Sequence, residues 1–99
     1  MLLTNSSGFM EIAIIAHDGK KADLIDFLIK NADVLHNEKI RLIGTGTTGG
    51  KAEAAGFKTQ RMLSGPLGGD AQIAGRVAEG ITKMVFFFKD PLSSHPHEA

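Results

Sequence analysis

Four short apolar runs divide this sequence, and each of them ends in small or ionisable residues. The runs cover residues 10–16, 40–43, 57–63 and 83–88. They are followed, in order, by His17-Asp18, the segment GTGTTGG at 44–50, Ser64-Gly65-Pro66, and Asp90-Pro91 leading to His95 and His97. If the runs are parallel strands, all of these clusters lie at the carboxyl edge of one sheet, where open α/β sheets bind their ligands. The pattern therefore predicts a single site for a small polar ligand.

Helices of moderate length are predicted between the strands. They cover residues 20–31, with an extension to about residue 36, then 51–55 and 70–79. Apolar side chains recur at helical spacing in the first helix, as at Leu24, Phe27 and Leu28. Gly56 and Gly80 are predicted to end the second and third helices. Strands that alternate with helices in this way predict an α/β three-layer sandwich of Rossmann-like architecture, with a mainly parallel sheet.

The elements differ in how deeply they are expected to be buried. Residues 10–16 and 84–88 are almost continuously apolar, which predicts strands buried on both faces. In residues 57–63 polar and apolar side chains alternate only weakly, which predicts a strand nearer the edge of the sheet. The apolar face of the third helix is predicted to consist of Ile73, Ala74, Val77 and Ala78. Three helices are few for a sheet that needs cover on both faces, so residues 1–99 are interpreted as one domain lacking its C-terminal part.

The composition excludes several classes of partner. Eleven basic residues balance eleven acidic ones, and the chain has no run of five like charges, so neither nucleic acid nor an anionic membrane is an expected partner. The sequence contains no cysteine, which excludes disulfides and thiolate chemistry. Residues 1–9 have neither the basic start nor the apolar stretch of a signal peptide or anchor. A cytoplasmic protein with a small-molecule partner is the expectation.

The glycine-rich segment at 44–50 partly matches two nucleotide-binding patterns, and each match fails at particular positions. Residues 44–49 match the dinucleotide pattern G-x-G-x-x-G, but they follow the second strand, and residues 62–64 offer no acidic side chain for a ribose. The P-loop pattern fails because Lys51 comes one position late and Ala52 replaces the hydroxyl that binds magnesium. Three threonine hydroxyls and the N–H groups of a helix start suit a single phosphate. The alternative is a tight turn capped by threonine.

Asp70 also has two interpretations, which are compatible with each other. It follows Gly68-Gly69 and opens the predicted helix at 70–79, a position typical of an N-cap aspartate. A carboxylate near a helix N-terminus is also favoured in its ionised form, as a general base must be before it accepts a proton.

The histidines of the predicted edge are candidates of the same kind. His17-Asp18 either caps the helix that begins near Lys20 or, together with Lys20 or Lys21, holds a phosphate dianion. His95 and His97 form a poor metal site, because two loop histidines two residues apart lack a third ligand. No metal is expected, and a histidine that acts as an acid or electrophile is the favoured interpretation.

Longer stretches of the chain resemble the methylglyoxal synthase family. The matching segments are IIAHD at 14–18, TGTTG at 45–49, MLSGPLGGD at 62–70, and FFFKDPL at 86–92 running on to Pro96-His97. Their order and spacing suit the family from one end of the chain to the other. The resemblance implies elimination of phosphate from dihydroxyacetone phosphate, giving methylglyoxal and inorganic phosphate without a metal or organic cofactor.

The resemblance also implies a role for individual residues. Asp70 would be the base that takes a proton from the carbon bearing the hydroxyl, and His97 would polarise the carbonyl. The residues implied in binding the substrate, chiefly its phosphate, are His17, Lys21, Thr45, Gly46, Thr47, Thr48, Ser64 and Gly65. Asp18 and Asp90 match acidic positions of the family's active site and would orient the histidines and the lysine.

The domain of the family that this chain resembles continues for a further segment, and the resemblance also implies a homohexamer. A second hypothesis is a regulatory domain, as in carbamoyl phosphate synthetase, which binds a small phosphorylated effector without turning it over. Asp70 and His97 argue against that hypothesis, because a binding module needs neither a base nor an electrophile. A third hypothesis is a degraded remnant that folds poorly.

Overall fold

The computed structural model describes residues 9–62 and 68–91, which form a parallel β-sheet flanked by helices. The strands are β1 (Met10–Ala16), β2 (Ile40–Gly44), β3 (Thr59–Arg61) and β4 (Thr82–Phe88). The helices are α1 (Lys21–Lys30), α2 (Ala32–Leu35), α3 (Gly46–Ala54) and α4 (Gly69–Ala78), and a 3-10 turn at Asp18–Lys20 leads into α1. The sheet has the order β3-β2-β1-β4, and every pairing is parallel. The predicted α/β class and parallel sheet are confirmed.

Strand β1 is one of the two inner strands of the sheet, and its apolar sequence explains its position. It pairs with β2, where Ile14 lies beside Gly44, and with β4, where Ala16 lies beside Phe88. Ile12 and Ile14 are at most 4% exposed. A strand whose side chains are apolar on both faces is stable only where both faces are covered, which is why this run occupies the middle of the sheet.

The larger core lies between α1 and one face of the sheet. Leu24 and Leu28 are completely buried there, and each such side chain contributes about 1.5–3 kcal/mol of transfer free energy. Phe27 contacts two aromatic rings of β4, with centroid distances of 4.8 Å to Phe86 and 5.5 Å to Phe88. This helix therefore fixes β4 against β1 from one side.

The opposite face carries a smaller core. It consists of Ala13, Ile43, Met62 and Ile73, with Ile15 beside them. Of the face predicted for α4, only Ile73 is buried, and Val77 remains 43% exposed. Ala74, Val77 and Ala78 lie in this helix, as predicted, but all three are exposed.

The burial predicted for β4 was wrong. Met84, Val85 and Phe87 are 40–54% exposed. Within the described residues β4 is an edge strand, with β1 as its only neighbouring strand. The short strand β3 lies at the other end of the sheet order, as its weak alternation predicted.

Several helix boundaries differ from the predicted ones. The first helix divides at Asn31, whose side-chain amide donates a 2.8 Å hydrogen bond to the carbonyl of Phe27. The second begins at Gly46 rather than at 51, because tertiary packing overrides the poor helix propensity of glycine and threonine. Gly56 and Gly80 do follow the ends of helices, as predicted, and both glycines have a positive φ. No helix among residues 9–62 and 68–91 has the length and apolar character needed to cross a membrane.

A buried carboxylate ties three elements together at the amino end of the sheet. Glu11 of β1 is 3% exposed and accepts two hydrogen bonds from Arg76 of α4, at 2.7 and 2.8 Å. The hydroxyl of Thr82 on β4 donates a third at 2.6 Å. Hydrogen bonding from Arg76 holds the pKa of Glu11 below its ordinary value of 4.5, against the opposing effect of burial. The same ion pair raises the pKa of Arg76.

Candidate active site

The ends of the four strands deliver the candidate residues to one edge of the sheet. Because all the strands are parallel, the segments that begin at His17, Thr45, Met62 and Asp90 leave the sheet on the same side. The Glu11 and Arg76 pair lies at the other end of β1. The candidate site residues predicted from the sequence are thus separated from the buried ion pair by the length of the strand.

His17 is held by the loop that follows β4. The backbone N–H of Asp90 donates a 3.0 Å hydrogen bond to Nδ1 of His17, and the N–H of His17 donates to the carbonyl of Phe88 at 3.1 Å. The imidazole also meets the ring of Phe87 edge-on at 5.4 Å. Since Nδ1 is an acceptor here, the hydrogen of the neutral ring is assigned to Nε2. His17 makes no side-chain capping bond to the turn that it precedes, so the capping interpretation does not describe it.

Lys21 brings a positive charge to the end of β1. Its ammonium donates a 2.9 Å hydrogen bond to the carbonyl of Ala16 and lies 3.2 Å from a carboxylate oxygen of Asp18. The Lys21 side chain is 11% exposed, whereas that of Asp18 is 97% exposed. Lys20 instead forms an exposed pair with Asp23. Of the two lysines that the sequence offered for an anion, Lys21 is the one fixed at the sheet edge.

Asp90 packs tightly against the turn that follows β1. A Cβ atom on Gly19 would come within 2.6 Å of the carboxylate oxygen Oδ2 of Asp90. Only a glycine at 19 leaves room for this approach. Together with the hydrogen bond to His17, this contact joins the β1 and β4 loops, and neither interaction could be read from the sequence because the partners are about seventy residues apart.

The threonine-rich turn forms the start of α3. Thr45 occupies the N-cap position, but its side chain makes no capping hydrogen bond. The first intrahelical bond runs from the N–H of Gly49 to the carbonyl of Thr45, at 2.6 Å. The N–H groups of residues 46–48 therefore have no carbonyl partner within the helix. Thr45 and Thr48 are buried, whereas Thr47 is exposed.

The glycines of this turn serve close packing. None of those between residues 44 and 50 has a positive φ. A Cβ on Gly44 would lie 3.2 Å from Cγ1 of Ile14, and one on Gly49 would lie 3.0 Å from Cγ of Arg61. The turn thus fits between β1 on one side and the last residue of β3 on the other. The sequence pattern identified the turn but not this steric reason for its composition.

Asp70 lies in the first turn of α4. Gly68, with φ of 100°, is the N-cap residue and Gly69 begins the helix, so the N-cap position predicted for Asp70 was wrong. Asp70 is the second helical residue, and its side chain is outside what the structure describes. Ser64, Gly65, His95 and His97 also lie outside the described residues. Across the described ranges, no group of three or more histidine or carboxylate side chains is arranged to hold a metal ion.

The chain has clear relatives among known proteins. The family model described as an MGS-like domain matches residues 27–99. A methylglyoxal synthase of Clostridium beijerinckii is 56% identical over 90 residues, covering 90% of this chain and 74% of that protein. A methylglyoxal synthase of Thermus thermophilus is 50% identical over 88 residues, covering 88% and 68%.

A solved structure gives the same likeness in three dimensions. The crystal structure of methylglyoxal synthase from Elizabethkingia anophelis superposes with a TM-score of 0.79 at 42% sequence identity. The match covers 90% of this chain and 58% of that one. The chain therefore spans between about three fifths and three quarters of the length of these relatives.

Proposed function

The chain belongs to the family of MGS-like domains, and from that premise we propose that it eliminates phosphate from dihydroxyacetone phosphate to give methylglyoxal and inorganic phosphate. The observation that carries the proposal is the meeting of the α3 N-terminus, the fixed Lys21 and the oriented His17 at one edge of a sheet. These groups supply donors and positive charge for a small phosphorylated ligand.

Asp70 begins the proposed reaction as a general base. It removes a proton from the carbon that bears the hydroxyl group, and the electron pair of the broken C–H bond forms an enediolate. A carboxylate in the first turn of α4 is favoured in the ionised form required for this step. His97 polarises the substrate carbonyl and donates to the oxygen on which negative charge develops.

The second step breaks the bond between carbon and the phosphate oxygen. The hydroxyl on the deprotonated carbon passes its proton to the former carbonyl oxygen and becomes a C=O group. The electrons of the enediolate C=C bond form a new C=C bond to the carbon that bears phosphate, and phosphate leaves with the electrons of the C–O bond. The resulting enol moves its hydroxyl proton to the terminal carbon and becomes methylglyoxal. The N–H groups of residues 46–48 and the hydroxyls of Thr45 and Thr48 hold the leaving phosphate at the positive end of the α3 dipole. Lys21 adds charge, and Ser64 and Gly65 complete the phosphate contacts.

His17 contributes a neutral hydrogen-bond donor. With Nδ1 occupied by the N–H of Asp90, its Nε2–H is the group that can donate to a substrate oxygen. Asp18 keeps the ammonium of Lys21 at the edge of the sheet, and Asp90 keeps the β4 loop against Gly19. We further propose that residues 1–99 belong to one domain that works in the cytoplasm as part of a homohexamer, as the family resemblance implies.

The decisive experiment measures both products of the purified chain supplied with dihydroxyacetone phosphate. Matched release of methylglyoxal and phosphate is expected, and Asp70→Asn should reduce it by a factor of about 10² to 10⁴, the usual contribution of a general base. Asp33→Asn, an exposed change on α2, is the matched control and should leave the rate unchanged. A folded chain that binds phosphate but releases neither product would contradict the proposal and support an effector-binding domain.

A further inference from the structure

The side chain of Arg61 lies across helix α3. Arg61 is the last residue of β3 and pairs in register with Gly44, the residue immediately before the threonine turn. Its Nε donates a 2.8 Å hydrogen bond to Oε1 of Glu53 on α3. Between the strand and Glu53, the aliphatic part of the Arg61 side chain passes directly over Gly49 and Gly50 of the helix. One side chain thus connects the strand end and the helix that begins at the candidate phosphate site.

The fit between Arg61 and the helix depends on Gly49. A Cβ there would lie 3.0 Å from Cγ of Arg61, and 3.5–3.6 Å from the carbonyl oxygen of Gly44 and Cα of Arg61. At Gly50, by contrast, a Cβ would lie 3.5–3.7 Å from the guanidinium, which is an ordinary contact. Two adjacent glycines on one helix therefore differ sharply in how closely they approach the same arginine.

Gly49 also governs the geometry of the helix start. Its N–H makes the first intrahelical hydrogen bond, to the carbonyl of Thr45, and the three preceding N–H groups are those available to an anion. A shift of Gly49 away from Arg61 would rotate the turn that presents these donors. The position of Arg61 and the arrangement of the N–H groups are therefore linked through one residue.

We propose that Arg61 is a positioning residue for phosphate recognition. The aliphatic part of its side chain covers Gly49 and Gly50 of α3, and its bond to Glu53 connects the second turn of the helix to β3. These contacts keep the N–H groups of residues 46–48 in their arrangement. The proposal rests on the phosphate-binding role given above to the start of α3. It assigns Arg61 no contact with the substrate.

The exposure of the ion pair separates this role from a simple contribution to stability. The side chains of Arg61 and Glu53 are 57% and 41% exposed. Exposed pairs of this kind contribute little to the free energy of unfolding. Loss of Arg61 should therefore affect phosphate binding far more than it affects thermal stability.

The first test measures binding of inorganic phosphate by calorimetry. Arg61→Ala is expected to raise the dissociation constant about tenfold, the loss of roughly one well-placed hydrogen bond to an anion. Arg61→Lys retains the stem and a charge that can reach Glu53, so it should recover most of the affinity. In turnover, Arg61→Ala should raise KM with kcat nearly unchanged, since phosphate is held in both the ground state and the transition state.

The second test uses the two glycines as a matched pair. Gly49→Ala should weaken phosphate binding strongly, whereas Gly50→Ala should leave it unchanged. Because the alanine methyl can occupy the space vacated by the arginine stem, the double variant Gly49→Ala/Arg61→Ala should bind phosphate no more weakly than Arg61→Ala alone. Thermal unfolding of each variant establishes that it is folded.

The outcomes distinguish the two proposals. Unchanged phosphate affinity in Arg61→Ala, or additive losses in the double variant, would overturn the positioning role. A wild-type chain that binds phosphate without releasing methylglyoxal would defeat the proposed reaction, while the binding series still decides the role of Arg61. A folded wild-type chain that binds no phosphate would overturn both proposals.

Discussion

The backbone N–H of Asp90 donates a 3.0 Å hydrogen bond to Nδ1 of His17, across a sequence separation of 73 residues. This bond fixes which ring nitrogen of the neutral imidazole carries the hydrogen. It also makes the orientation of His17 depend on the β4 loop, because that loop supplies the donor. The donor is a main-chain group, so a change to the side chain of Asp90 does not remove it. A group proposed to donate to substrate is thus oriented by the fold itself.

The tautomer of His17 can be observed directly. In long-range ¹H–¹⁵N NMR spectra recorded at about pH 9, the hydrogen of His17 should be found on Nε2, with an acceptor shift at Nδ1. His36, an exposed histidine whose ring stacks on Phe57 at 4.6 Å, provides the internal comparison. Observation of hydrogen on Nδ1 of His17 would exclude the donor role proposed for Nε2.

Substitution of Gly19 should impair the site without unfolding the protein. In Gly19→Ala the new methyl group meets Oδ2 of Asp90 at 2.6 Å, so the carboxylate must move and the β4 loop with it. We expect kcat/KM to fall about tenfold, equivalent to about 1.4 kcal/mol of transition-state stabilisation, with little change in unfolding temperature. The loss of stability is small because Gly19 is exposed and the atom that it displaces is the end of a side chain.

The control for this substitution is Gly75→Ala. Gly75 lies inside α4, and among the described residues no heavy atom outside its own stretch of helix is within 4 Å of the position that its Cβ would occupy. Alanine should therefore stabilise the protein by about 0.5–1 kcal/mol through its higher helix propensity and leave kcat/KM unchanged. Equal kcat/KM for the two alanine variants would show that the approach of Asp90 to Gly19 has no part in catalysis.

Local sequence patterns predict most of the sheet. The apolar runs of β1 and β2 and the glycines at 56 and 80 act within a few residues, so their consequences can be read from the chain. The parallel arrangement follows from the alternation of strands and helices. The convergence of the strand ends at one edge is a consequence of that topology.

The remaining features depend on contacts between distant segments. The start of α3 escapes prediction because glycine and threonine are weak helix formers, and the helix is held there by packing on Ile14 and Arg61. The exposure of β4 depends on which neighbours it has, and an apolar run does not specify them. Glu11 gives no local sign that it is buried, since its partner Arg76 is 65 residues away.

The ion pair between Glu11 and Arg76 should be important for stability and not for catalysis. Glu11→Gln leaves the guanidinium without its buried counter-charge, and we expect the free energy of unfolding to fall by about 2–3 kcal/mol, somewhat less than for a fully buried pair because Arg76 is 30% exposed. Urea denaturation at pH 7 measures this loss, and Glu38→Gln, at an exposed position, is the control. Normal KM and kcat are expected for the folded variant, because Glu11 lies at the amino end of β1.

The ion pair between Glu11 and Arg76 also predicts how the free energy of unfolding depends on pH. Because the pKa of Glu11 is lowered from 4.5 in the folded state, the unfolded chain binds a proton at this group more readily than the folded chain does. The stabilisation from Glu11 is therefore complete above its unfolded pKa and is lost as the pH falls through the lowered folded value. Urea denaturation over about pH 6 to 3 should show a steeper decline for the wild-type chain than for Glu11→Gln, which has no such proton to gain. Parallel declines in the two proteins would mean that Glu11 does not contribute to the acid sensitivity of this fold.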